Sequence, residues 1–113
     1  MSHPDLAKKW GLYPSFDLTP YYKRMAEAAA ARGRMVELNT SGAYYDCKQM
    51  YPAPALLAEF CKAGVPCSIG TDAHTPANVG RGLKEGYKAL YEAGYRAITV
   101  PTVDGDRRHI PFD

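Results

Sequence analysis

An apolar helical stretch, a glycine and a short apolar strand follow one another three times in this chain, at intervals of roughly 30 residues. Thr19-Pro20 places a capping residue before a proline suited to the first helical position. Tyr22, Met25, Ala26 and Ala29 then recur at helical spacing and Gly33 stands where the helix would end, which predicts a helix over residues 19–32. Met35 to Asn39 reads as a strand and Thr40-Ser41-Gly42 as its exit loop. Pro54 opens a second helix with Leu56, Leu57, Phe60 and Cys61 on one face; Gly64 stops it, and Pro66 to Gly70 form the next strand. The third helix is expected from about Val79 to Ala93, with Leu83, Tyr87, Leu90 and Tyr91 as its apolar face. Gly94 ends it, and Tyr95 to Val100 supply an apolar strand of parallel-sheet type. The start fits the same rhythm if Ser2-His3 is the frayed end of a very short strand and Pro4 to Trp10 a helical turn.

The predicted class is therefore α/β, built from parallel βα units. A chain of 113 residues holds one core, so residues 1–113 are expected to form a single domain. A closed eight-stranded barrel needs at least about 200 residues, which leaves a small open sheet or about half of a barrel. Charge names no partner: 14 Lys and Arg against 12 Asp and Glu give a net +2, so neither nucleic acid nor a membrane surface is expected to bind. No apolar run approaches the roughly 18 to 20 residues that cross a bilayer, and the first residues carry no signal core. Cys47, Cys61 and Cys67 are odd in number and lack C-x-x-C spacing, which fits neither a disulfide framework nor a zinc ribbon and points to a reducing cytoplasm.

In parallel α/β folds functional side chains stand at the carboxyl ends of strands and in the loops that leave them. Beyond Ile69 the chain reads Gly70-Thr71-Asp72-Ala73-His74; in extended backbone Asp72 and His74, two apart, point the same way, as two metal ligands would. The plainer reading makes Asp72 a helix cap and His74 a surface histidine. Beyond Leu38 comes Asn39-Thr40-Ser41-Gly42, small polar groups with a glycine that admits a ligand to the backbone, as an anion site prefers; a simple turn accounts for it equally. His3-Pro4-Asp5 adds a strand-end histidine if the short first strand is granted, and otherwise a solvated terminus.

In order along the chain, His3-Pro4-Asp5-Leu6, Val36-Glu37-Leu38-Asn39-Thr40-Ser41-Gly42, Tyr51-Pro52, Ile69-Gly70-Thr71-Asp72-Ala73-His74 and Gly94-Tyr95 resemble the carboxyl-terminal half of PHP-domain phosphoesterases. Within that superfamily the chain looks most like the histidinol-phosphate phosphatases, from His3 to about Thr102. The resemblance implies roughly the C-terminal half of a distorted (β/α)7 barrel. It also implies divalent ions, zinc, iron or manganese, at the strand ends, and phosphate-ester hydrolysis by metal-activated water. By the same resemblance His3, Asp72 and His74 are metal ligands serving different ions, and Asn39 and Ser41 line the substrate pocket. The family's opening H-x-H motif, further histidines and bridging glutamate have no counterpart here, so each metal site is expected to be incomplete. The basic residue that usually follows N-T-S-G is also displaced, since Ala43-Tyr44-Tyr45-Asp46 intervenes before Lys48.

Other residues take structural readings: Glu37 as a supporting rather than ligating carboxylate, Arg81 as a solvated helix-start residue or a phosphate contact, Arg107-Arg108-His109 as a charged tail, the tyrosines as packing and the cysteines as small buried hydrophobes. Two functions remain open. One is a metal-dependent phosphomonoesterase acting on a small phosphate ester such as histidinol phosphate, completed by a missing N-terminal half. The other is an inactive PHP fragment that serves as an assembly or interaction module, because half a barrel exposes sheet edges that invite a homodimer.

Overall fold

Residues Val36–Asn39 (β1) and Cys67–Gly70 (β2) lie side by side in parallel, Val36 against Cys67 and Asn39 against Gly70. The computed structural model that shows this describes residues 1–112. Each strand is fed by a helix: Thr19–Ala31 (α1) precedes β1, and Pro54–Lys62 (α2) precedes β2. On its other edge β1 meets the amino terminus: the Met1 ammonium donates to the Met35 carbonyl at 2.7 Å and Glu37 N–H donates to the Met1 carbonyl at 3.0 Å. The two bonds have the pattern that a parallel neighbour makes, although Met1 is part of no strand. The expected helical turn at the start is a 3₁₀ turn over Leu6–Trp10.

The first helix starts as its proline dictates, but Thr19 is its first residue rather than its cap; the Asp17 carboxylate accepts the Thr19 N–H at 2.9 Å. Its inward face is narrow and made of Ala26 and Ala29, which lets α2 approach closely. Leu56, Leu57 and Phe60 of α2 are buried under the parallel pair with Val36, Leu38, Val65 and Cys67. Each such large apolar side chain contributes roughly 1.5 to 3 kcal/mol of transfer free energy. The third helix (α3, Leu83–Ala93) closes the core with Leu90. It begins four residues later than its periodicity suggests. Gly80 and Gly82 take φ of +79° and +77°, left-handed backbone that cannot continue a helix, so only a 3₁₀ turn over Pro76–Asn78 forms before it.

The last strand departs from expectation. Ala97–Pro101 (β3) does not pair with β2; it forms an antiparallel hairpin with Arg107–Pro111 (β4). The cause is local. Asp104-Gly105 between two extended runs is a hairpin turn, with Gly105 at φ +84°, and Thr102 N–H donates to the Asp106 carbonyl across it. The basic segment is therefore a strand and not a free tail, although its residues remain exposed. Arg107 reaches the Gly33 carbonyl at 2.7 Å, and His109 Nδ1 lies 2.9 Å from Thr99 Oγ1. The architecture is thus mixed α/β, a two-stranded parallel sheet and a two-stranded antiparallel one, and the predicted parallel sheet extends over two of its three main strands. Among the described residues no helix is long and apolar enough to cross a membrane.

Candidate functional site at the strand ends

Because Asn39 and Gly70 are register partners at the last position of the parallel pair, the segments that follow them leave the sheet together. One is the 3₁₀ turn Thr40–Tyr44; the other is the loop from Thr71 to Thr75. The two motifs singled out in the sequence, Asn39-Thr40-Ser41-Gly42 and Gly70-Thr71-Asp72-Ala73-His74, are therefore neighbours at one end of the sheet. Glu37 stands between them. Its Oε1 accepts the Asn39 Nδ2 amide at 2.9 Å and the His3 backbone N–H at 3.3 Å. Its Oε2 lies 2.7 Å from where a Cβ on Gly70 would be, a distance no real side chain could keep. Glu37 and Asn39, two apart, share one face of β1, which is how a strand brings both side chains to the same place.

Asn39 and Ser41 are buried, at 2% and 5% exposure, and their polar atoms are bonded to each other. Asn39 Oδ1 accepts the Ser41 backbone N–H at 3.0 Å and the Ser41 hydroxyl at 2.6 Å, so the asparagine caps the 3₁₀ turn that follows it. Thr40 is fully buried and donates its hydroxyl to the Arg81 carbonyl at 2.6 Å. Arg81 itself stacks its guanidinium on the Tyr44 ring, 3.8 Å from the centroid, a cation–π contact at the mouth of the same loop.

His3 is half-buried, while Asp72 and His74 are exposed. His74 Nδ1 lies 2.7 Å from the Asp72 carbonyl oxygen. A carbonyl can only accept, so Nδ1 carries a proton, and in the neutral ring the lone pair is then on Nε2, the arrangement that a metal-ligating histidine uses. Asp72 takes φ of +48°, a left-handed turn that aspartate tolerates. Among the described residues no three His, Cys, Asp or Glu side chains gather into a cluster. The chain on its own therefore does not fit a closed divalent-ion centre, which takes three or four ligands.

Next to this site lies a buried group that its sequence did not announce. Lys8 is 4% exposed; its ammonium meets the Asp5 carboxylate at 2.8 Å and the Gln49 side-chain oxygen, and lies over the Tyr51 ring. Asp5 in turn accepts the Ala53 N–H at 2.9 Å, at the start of α2. Burial pushes the Tyr51 phenol well above its usual value, helped by its contact with the Cys47 thiol. Two lysines in succession after His3-Pro4-Asp5 read as surface charge, and only the i,i+3 spacing of Asp5 and Lys8 hinted at the pair. Cys47 and Cys67 are buried free thiols and Cys61 is half-buried, as small hydrophobes would be.

No protein-family model matches the chain. It is 33% identical, over 100 residues, to a protein of Deinococcus radiodurans described as a probable histidinol-phosphatase. The matched region is 88% of this chain but 37% of that protein, so the chain spans little more than a third of the length of the curated relative it matches. The similarity supports kinship with that phosphatase family.

Proposed function

We propose that this chain forms part of a metal-dependent phosphomonoesterase of the PHP type, acting on a small phosphate ester such as histidinol phosphate. The observation that carries the reading is the 33% identity to a probable histidinol-phosphatase across 88% of the chain. The convergence of the His3, Asn39–Gly42 and Gly70–His74 segments at one end of a parallel strand pair supports it, since that is where α/β enzymes keep their chemistry. In this reading His3, Asp72 and His74 are ligands to divalent zinc, manganese or iron, and the remaining ligands come from outside this set. His74 is prepared for that part by the Asp72 carbonyl, which fixes its tautomer. Asn39 and Ser41 border the substrate pocket. Ser41 gives its proton to Asn39, so in this arrangement its hydroxyl suits a donor group of the ester's organic part rather than the phosphate oxygens.

The test is phosphate release from histidinol phosphate and simple phosphate monoesters by the gene product that contains this chain, supplied with Mn²⁺ or Zn²⁺. Release that a chelator abolishes and Mn²⁺ restores is the expected result. Inactivity of the metal-loaded protein on every monoester overturns the assignment.

A further inference from the structure

We propose that Glu37 is the positioning residue of the strand-end site, the one carboxylate through which three separate chain segments are held in a single arrangement. The inference deepens the phosphomonoesterase reading, and it rests on that reading only for its effect on turnover.

A carboxylate only accepts hydrogen bonds, so the Asn39 amide facing Glu37 Oε1 at 2.9 Å must present its NH₂ and turn its oxygen the other way. That oxygen then receives both the N–H and the hydroxyl of Ser41. One charge thereby sets the direction of every bond in the row from Glu37 through Asn39 to Ser41. The same Oε1 takes the His3 N–H, which ties the amino-terminal segment to β1 at the residue that the metal reading makes a ligand. Oε2 occupies the space left by the missing side chain of Gly70, two residues before Asp72. Charge-assisted bonds of this sort are the stronger class, and no neutral residue at 37 would impose one polarity on the row. Glu37 touches no reacting atom in this scheme; it acts through His3, Asn39 and the Gly70 turn.

Amide hydrogen exchange on the ¹⁵N-labelled chain tests the geometry, and turnover tests the role. In Glu37→Ala the His3 and Ser41 amides should exchange about tenfold faster or more, while Leu57 and Leu90 in the helices keep their protection. Glu37→Gln, which retains an acceptor, should recover at least part of the His3 protection. If Glu37→Ala does not fold, Glu37→Asp decides: its shorter arm cannot reach both partners, so His3 should lose protection with the helices unaffected. Unchanged exchange at His3 and Ser41 in a folded Ala or Asp variant overturns the proposal. In the gene product that hydrolyses a phosphomonoester, Glu37→Gln should lower kcat about tenfold with KM within about twofold, the split expected of misplaced groups rather than lost binding. An unchanged kcat overturns the positioning role. A metal-loaded wild type without turnover sinks the phosphatase reading instead, and the exchange result then judges Glu37 by itself.

Discussion

The Lys8 ammonium sits 2.8 Å from the Asp5 carboxylate with almost all of the lysine shut away from water. Removing one partner of a buried pair leaves a charge with no counter-charge. Asp5→Ala also strips the acceptor from the Ala53 N–H at the head of α2. Asp5→Ala should therefore cost about 3 to 5 kcal/mol in urea unfolding, and Lys8→Met, which leaves the Asp5 carboxylate without its counter-charge but still holding the Ala53 N–H, about 3 kcal/mol. Losses under about 1 kcal/mol from both variants would show that solvent reaches the pair.

Gly42 is closed in by the chain that passes over it. A Cβ there would be driven into the Gln49 carbonyl oxygen and to 2.8 Å from the Tyr51 ring. The carbonyl belongs to the backbone and cannot swing aside, so Gly42→Ala should destabilise by about 2 to 3 kcal/mol. The same change at Gly33, where a Cβ meets nothing but the backbone has φ +56°, should cost about 1 kcal/mol through strain alone. Thermal unfolding of the two variants side by side gives the ranking.

Burial pushes the Cys67 thiol up to about 12 from an ordinary value near 9, and it raises the phenols of Tyr51 and Tyr95. The unfolded chain loses these protons first, so between about pH 9 and pH 12 it binds fewer protons than the folded one, and stability falls as pH rises. The contribution is fully present below pH 9. Melting temperature should decline steeply above that point, and Cys67→Ala should flatten the first part of the decline. At pH 8 the Cys67 thiol should resist alkylation until the chain is unfolded; rapid native-state labelling of Cys67 would contradict its burial.

Metal binding by the chain alone should be weak. Asp72 and His74 share one loop and no third ligating side chain joins them among the described residues. Two ligands leave an ion mostly hydrated, so dissociation constants for Zn²⁺ or Mn²⁺ should be no tighter than roughly micromolar. Calorimetry should lose the signal in His74→Ala. Nanomolar binding that survives this substitution would remove His74 from the metal reading.

The helices and the parallel pair were legible because their signals are local and redundant. Pro20 and Pro54 start α1 and α2, and β1 and β2 are short β-branched or apolar runs. The fate of Tyr95 to Val100 was not legible from apolarity alone, since an apolar strand serves a parallel or an antiparallel neighbour equally; Asp104-Gly105 was the sign that a hairpin followed. At the site, the order of motifs along the chain anticipated which segments meet. The commitment of the Asn39 amide to Glu37 and of both Ser41 donors to Asn39 Oδ1 could not be read from type and spacing, because it depends on Glu37 turning the amide around. Lys8 escaped notice for a related reason: burial of a lysine is decided by what passes over it, here Gln49 and Tyr51, some forty residues away.

The two sheets differ in how far the chain must travel to close them. Pro101 finds Arg107 across a tight turn, whereas Val36 must wait for Cys67, about 30 residues on and beyond a whole helix. Loop-closure entropy grows with that separation, so the hairpin should zip within microseconds as an independent local event, and formation of the parallel pair should limit the folding rate. The strand-end residues depend on the slower of the two steps. A chain caught early in folding would carry a finished β3–β4 hairpin while His3, Asn39 and Asp72 were still apart.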